Sequence, residues 1–199
     1  MNKRNFPSYQ VIYLGGPSSS GKSSLAEALQ NLFADPFLHI GIDKMIGLMP
    51  AKVNDWAGGP APEGFSWKRS TDQEGHTIQD LQIGPFAQRI CDSFVDVVMT
   101  LVNGGFHIII DDVPLEQQHF DIWKTAFKDT SVLYVGMSAP VEYLEKRERT
   151  RGNRMMGSAR NQFYLSRMDF GYDMIIDAQK KLPEQIQLVQ AKIYPTNSI

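Results

Sequence analysis

A chain of 199 residues carrying 20 Lys and Arg against 22 Asp and Glu is long enough for one well-filled core. Its net charge of −2 leaves no global pull toward nucleic acid or an anionic membrane. The single cysteine, Cys91, excludes an intramolecular disulfide and a multi-cysteine zinc site, fits a reducing cytoplasm, and reads as a buried small hydrophobe. The opening MNKRNFPSYQ leads into no signal-peptide-like apolar segment, and the apolar stretch 86–102 is interrupted by Gln88, Arg89, Asp92 and Asp96. A soluble, unprocessed, cytoplasmic protein is expected, without membrane or nucleic-acid partners.

In chain order, VIYLGG (11–16) predicts a strand, and residues 24–33 place Leu25, Ala28, Leu29 and Leu32 at helical spacing. FLHIGID (37–43) is a second strand. Residues 51–84 break the rhythm with Gly, Pro and polar residues, and predict a hairpin turning near 72–75. A helix follows over 85–102, with Phe86, Ile90, Phe94, Val97 and Leu101 in register, then the strand FHIIIDD (106–112). Beyond it come a helix over 115–127, the strand SVLYVGM (131–137), helices over 140–151 and 159–168, the strand YDMIID (172–177), and a helix over 183–194. Pro85, Pro140 and Pro183 suit helix openings. This alternation predicts an α/β fold with a five-stranded parallel sheet, organised as one domain over 1–199.

Between the first strand and its helix, Gly16, Gly21, Lys22 and Ser23 match G-x-x-x-x-G-K-[ST], the P-loop. Glycines let backbone N–H groups converge on phosphate oxygens, so residues Gly16, Pro17, Ser18, Ser19, Ser20, Gly21, Lys22, Ser23 and Ser24 form the expected nucleotide cradle. Lys22 would reach the β and γ phosphates, and Ser23 would ligate Mg2+. FHIIIDD ends in acids where such proteins hold magnesium; Asp111, directly ending the apolar run, is the choice over Asp112, which alternation sends to the other face.

Asp43 ends the second strand, on the side where open parallel sheets gather ligands. It could take a proton from an attacking hydroxyl, cap the helix starting at Lys44, or do both. Further on, Arg147, Arg151 and Arg154 stand at i, i+4 and i+7 and would share a helical face, leaving Arg149 elsewhere. They could clamp phosphates, or belong to a solvated helix salt-bridged by Glu145 and Glu148. Gly152 and Gly157 would permit a lid over 147–157 to close. The D-F-G within MDFGYD is coincidental, because neither an H-R-D loop nor enough chain for that kinase fold is present. His39, His76, His107 and His119 show neither metal spacing nor acidic companions at motif distance.

Taken in order, GGPSSSGKSS, GIDKMIGLMP, IGP, IIIDDV, LYVG and the R-E-x-x-R-G-N-R stretch from Arg147 to Arg154 resemble the chloramphenicol phosphotransferase family over nearly the whole chain. The resemblance implies a P-loop NTPase of three-layer, nucleoside-kinase-like fold, ATP as donor, Asp43 as general base, and Arg147, Arg151 and Arg154 in a mobile lid. It implies transfer of the γ-phosphate to a small-molecule hydroxyl, with chloramphenicol one candidate and antibiotic resistance one purpose. Residues 51–84 look longer and more polar than in the antibiotic-modifying member; they, with Met45, Ile46, Leu48, Met49 and Phe86, would grip an apolar acceptor through Trp56, Phe65 and Trp67. Two alternatives stand beside this reading: a kinase of a nucleotide or cofactor precursor, and a nucleotide-binding module without transfer.

Overall fold

A computed structural model describes residues 8–152 and 155–194. Its centre is β1 (Val11–Gly15), whose Val11, Ile12, Tyr13 and Leu14 are all fully buried. A strand buried on both faces must be covered by helices on both sides, which the rest of the chain supplies. With β2 (Phe37–Gly41), β5 (His107–Asp112), β6 (Val132–Ser138) and β7 (Met174–Asp177) it forms a five-stranded sheet in the order β2-β5-β1-β6-β7. Every pairing in it is parallel.

Side-chain alternation divides the core. Ile12, Leu14, Ile109 and Val135 pack against α1 (Lys22–Leu32), α5 (Val141–Arg151) and α7 (Leu182–Ile193) through Leu25, Leu29, Leu144 and Val189. Val11, Tyr13, Ile108 and Ile110 pack on the opposite face against α3 (Pro85–Asn103) and α4 (Gln117–Ala126), chiefly through Phe94, Val98, Phe120 and Trp123. Helices on both faces of a parallel sheet make the expected three-layer α/β architecture. From β1 the chain moves to β2 on one side of the sheet, and β6 lies on the other, so the loop after β1 opens at the topological switch point.

Three local expectations change. The second strand stops at Gly41, because a helix, α2 (Ile42–Ile46), starts there; a Cβ on Gly41 would come within 2.8 Å of the Asp111 carbonyl oxygen, so this close crossing requires glycine. Pro140 is the N-cap of α5, whereas Pro85 and Pro183 lie in the first turns of their helices. Finally, α5 ends at Arg151, where Gly152 turns left-handed with φ 65°. The described helix thus carries Arg147 and Arg151, and Arg154, the third arginine of the expected face, lies outside the described residues.

Residues 51–84 contain the expected hairpin, β3 (Phe65–Thr71) paired antiparallel with β4 (Thr77–Ile83). It is joined to the domain by a small cluster in which Phe65 and Met49 meet Ala87 of α3. On its other side, α6 (Ser158–Leu165) packs against β4, where Asn161 Nδ2 donates to the Gln79 carbonyl at 3.2 Å.

Candidate active site

The loop from Gly16 to Ser23 has the backbone of an anion cradle. Gly16 and Gly21 take φ values of 145° and 100°, and Ser19, at φ 66°, is the one non-glycine residue with positive φ among those described. Such a serine costs about 1–2 kcal/mol, a strain that ligand contacts can justify. Lys22 Nζ donates to the Gly16 and Pro17 carbonyls at 2.9 Å each, so the buried ammonium is curled into the loop it would serve. The Ser19 and Ser20 hydroxyls are buried and have no hydrogen-bond partner among the described residues. Unmatched buried hydroxyls beside converging amides fit a phosphate group. Ser24 points away, exposed on α1.

Asp111 and Asp112 separate as a strand requires. Asp111 shares the face of Ile109, where Ser23 Oγ donates to its Oδ2 at 2.5 Å and Lys22 Nζ stands 4.0 Å from Oδ1. Burial alone would raise this carboxyl, but the His39 ring, the Lys22 charge and the Ser23 hydroxyl together hold it below the ordinary carboxylate value. A hydroxyl and an ionised carboxylate in contact form the hard oxygen pair that suits a magnesium ion. Asp112 shares the other face, accepting from Tyr13 Oη at 2.7 Å and Trp123 Nε1 at 2.9 Å. Burial and then the Asp112 charge push the Tyr13 hydroxyl well above its usual value, so it remains a donor to that carboxylate.

Asp43 lies in the first turn of α2, two residues past its N-cap Gly41, and so is not the capping residue. It is exposed and lines one cleft with Ser18, Lys22, Ser23 and Asp111. That cleft, about 1380 Å³, continues into an apolar chamber walled by Ile46, Met49, Trp56, Phe65, Trp67 and Phe94. The Trp56 ring stacks on Phe65 at 5.8 Å between centroids. Three residues expected in the acceptor grip take no part in the lining: Met45 is buried in the core, Leu48 is exposed to solvent, and Phe86 lies under the Arg89 guanidinium. Cys91 is half-buried in this wall rather than enclosed in the core, with its thiol pushed up to about 11 by burial and then by Asp92 and Asp112.

The arginine helix contacts the loop. Arg147 donates to Tyr143 Oη at 3.1 Å, and its guanidinium rests over Gly21, where an added Cβ would be 3.7 Å from it. Arg151 lines the cleft. Glu145 and Glu148, which the alternative of a solvated, salt-bridged helix would pair along α5, reach α6. Glu145 pairs with Arg160 Nε at 2.6 Å, while Glu148, 1% exposed, accepts from Gly157 N, Ser158 Oγ and Ala159 N at 2.8, 2.7 and 2.8 Å. One buried carboxylate thus caps the next helix.

Four participants escape sequence reasoning: His39 beside Asp111, Glu148, Arg160 and Gln162. Their partners lie on other elements, and no local pattern announces them. His76 also departs from expectation, because Asp72 and Glu74 stand within reach of it in the hairpin turn. The Arg160 guanidinium occupies that cluster, 3.4 Å from Asp72 and 3.2 Å from His76 Nδ1, which gives the acids a cation already.

Sheet order, loop and crevice together define a P-loop kinase fold. Solved structures of similar architecture include the adenosine phosphosulfate kinase of Mycobacterium tuberculosis in complex with AMPPNP and APS, at 14% identity over 90% of this chain and 94% of that one, TM-score 0.60. A gluconokinase from Sinorhizobium meliloti (16% identity, 95% and 93% coverage, TM-score 0.58) and the tunicamycin resistance protein of Deinococcus radiodurans (16%, 94% and 98%, 0.59) share it. At such identities the likeness concerns the fold. The family model of chloramphenicol phosphotransferase-like proteins matches residues 9–194, and the chain belongs to that family. A protein provisionally named an O-phosphotransferase, from two strains of M. tuberculosis, is 30% identical over 171 residues, 86% of this chain and 76% of that protein.

Proposed function

We propose that the protein is an ATP- and magnesium-dependent O-phosphotransferase acting on a hydroxyl of a small, largely uncharged molecule. The observation that carries this reading is the single cleft in which the Ser23–Asp111 pair, Lys22 and Asp43 open onto an aromatic chamber. Among the described residues lining it, the only lysine and arginine are Lys22, in the phosphate loop, and Arg151, one helical turn beyond the Arg147 that rests over Gly21. An acceptor carrying its own phosphate or sulfate would require further cations, so a neutral acceptor is favoured over a nucleotide or cofactor precursor.

In this reading the loop amides and Lys22 hold the phosphates, and Ser23 and Asp111 hold magnesium, which when bound offsets charge on the β and γ oxygens. Asp43 accepts the hydroxyl proton as that oxygen bonds to the γ-phosphorus and the bond to the bridging oxygen breaks, releasing ADP. Arg147 and Arg151 offset charge around the transferring group; Arg154, part of the same proposal from sequence, lies outside the described residues. Chloramphenicol is one acceptor to try, given the family, and resistance one purpose.

The test is ATP-dependent transfer to a panel of hydroxyl compounds that includes chloramphenicol, with wild type beside Asp43→Asn. Product with at least one acceptor, and a fall of about 10²–10⁴ in kcat for the variant, is expected. Intact ATP binding without product from any acceptor would overturn the reading, and an unimpaired Asp43→Asn would remove the base from it.

A further inference from the structure

Gln162 belongs to α6, far in sequence from the phosphate loop, yet its Oε1 accepts the Ser18 amide N–H at 2.8 Å. The bond joins two cleft-lining residues. Ser18 stands in the first limb of the loop, whereas the amides from Gly21 onward open α1. Lys22, the residue that would reach the β and γ phosphates, has its Nζ on the Gly16 and Pro17 carbonyls, so the adjoining limb at Ser18 lies on the outer-phosphate side. A phosphate oxygen entering there competes with Gln162 Oε1 for one N–H, because an amide has a single hydrogen to give.

Nor is Gln162 a surface side chain that strays onto the loop. Its helix is capped by Glu148 of α5 and held to the hairpin by Asn161 on the Gln79 carbonyl and by Gln79 N on the Gly157 carbonyl, at 3.3 Å. Arg160, two residues earlier and on the other side of α6, ties the same helix to Glu145 and to Asp72 at the hairpin tip. Gln162 is thus carried by a helix fixed to both the arginine helix and the hairpin. A carboxamide is suited to such a post: turned about its last bond, it exchanges an acceptor for the Nε2 donor in the same place.

We propose that Gln162 is a positioning residue for the terminal phosphate, releasing the Ser18 amide when a triphosphate enters and donating from Nε2 to its outermost phosphoryl group. This assignment rests on reading the loop as a nucleotide site.

The test compares Mg2+–AMPPNP and Mg2+–ADP binding by calorimetry in wild type, Gln162→Ala and Gln162→Glu. Alanine loses the donor and is expected to weaken AMPPNP about tenfold while changing ADP by less than about twofold. Glutamate still accepts from Ser18 but cannot donate and repels phosphate, so it should weaken AMPPNP more than alanine does, again sparing ADP. A residue that merely props the loop predicts the reverse: glutamate near wild type, and alanine weakening both nucleotides alike. Either of those results overturns the proposal while the nucleotide site survives. Wild type binding neither nucleotide would overturn the site itself.

Discussion

Replacing Glu148 by glutamine tests whether one buried carboxylate holds α6 in place. The wild-type side chain is 1% exposed and accepts three hydrogen bonds, two at Oε1 and one, from Gly157 N, at Oε2. Glutamine keeps the Oε1 pair but sets an NH2 against the Gly157 N–H, donor against donor. One charge-assisted bond is worth about 1.5–3 kcal/mol, and the other two weaken when the charge is lost. Relief from burying that charge offsets part of this, leaving a net cost of about 2 kcal/mol. In a chain of this size Tm should fall by about 4–8 °C. Because the cap is local, hydrogen exchange of the α6 amides should accelerate by about 30-fold, with β1 and β5 still the best protected. A Tm within about 1 °C of wild type and unchanged α6 exchange would refute the capping role.

Two further expectations separate neighbours that look alike in sequence. Asp112→Ala leaves the Tyr13 hydroxyl and Trp123 indole N–H without their acceptor, at about 1–3 kcal/mol each, so Tm should drop while Mg2+–AMPPNP affinity stays within about threefold; Asp111→Ala should spare Tm by comparison and lose at least about tenfold in that affinity. Exchanged outcomes would reverse the assignment of the two acids. For Cys91, a thiol raised to about 11 stays protonated at neutral pH, so its alkylation rate should still climb about tenfold per pH unit between pH 8 and 10. A plateau near pH 8.5–9, where an ordinary thiol levels off, would show that burial and the two aspartates do not act on it.

Chain-local information was enough for much of this protein. Strand periods of two, helical spacing, and the Gly16–Ser23 pattern depend only on residues near one another, so the five strands, the hairpin and the phosphate loop are legible without coordinates. Even the separation of Asp111 from Asp112 follows from strand alternation. What residues 147–154 do is less legible, because an i, i+4, i+7 series presumes that the helix continues, and Gly152 ends it with a left-handed turn.

Tertiary structure alone decided which side chains meet across elements. His39 stands 3.8 Å from Asp111 because β2 pairs with β5; Glu148 caps α6 because α5 and α6 pack; and Gln162 reaches Ser18 across 144 residues. Each of these contacts is polar, short-ranged and non-periodic. Hydrophobic patterning repeats along a chain and can be read there, whereas a single carboxylate or carboxamide acquires its partner only when folding brings the two elements together.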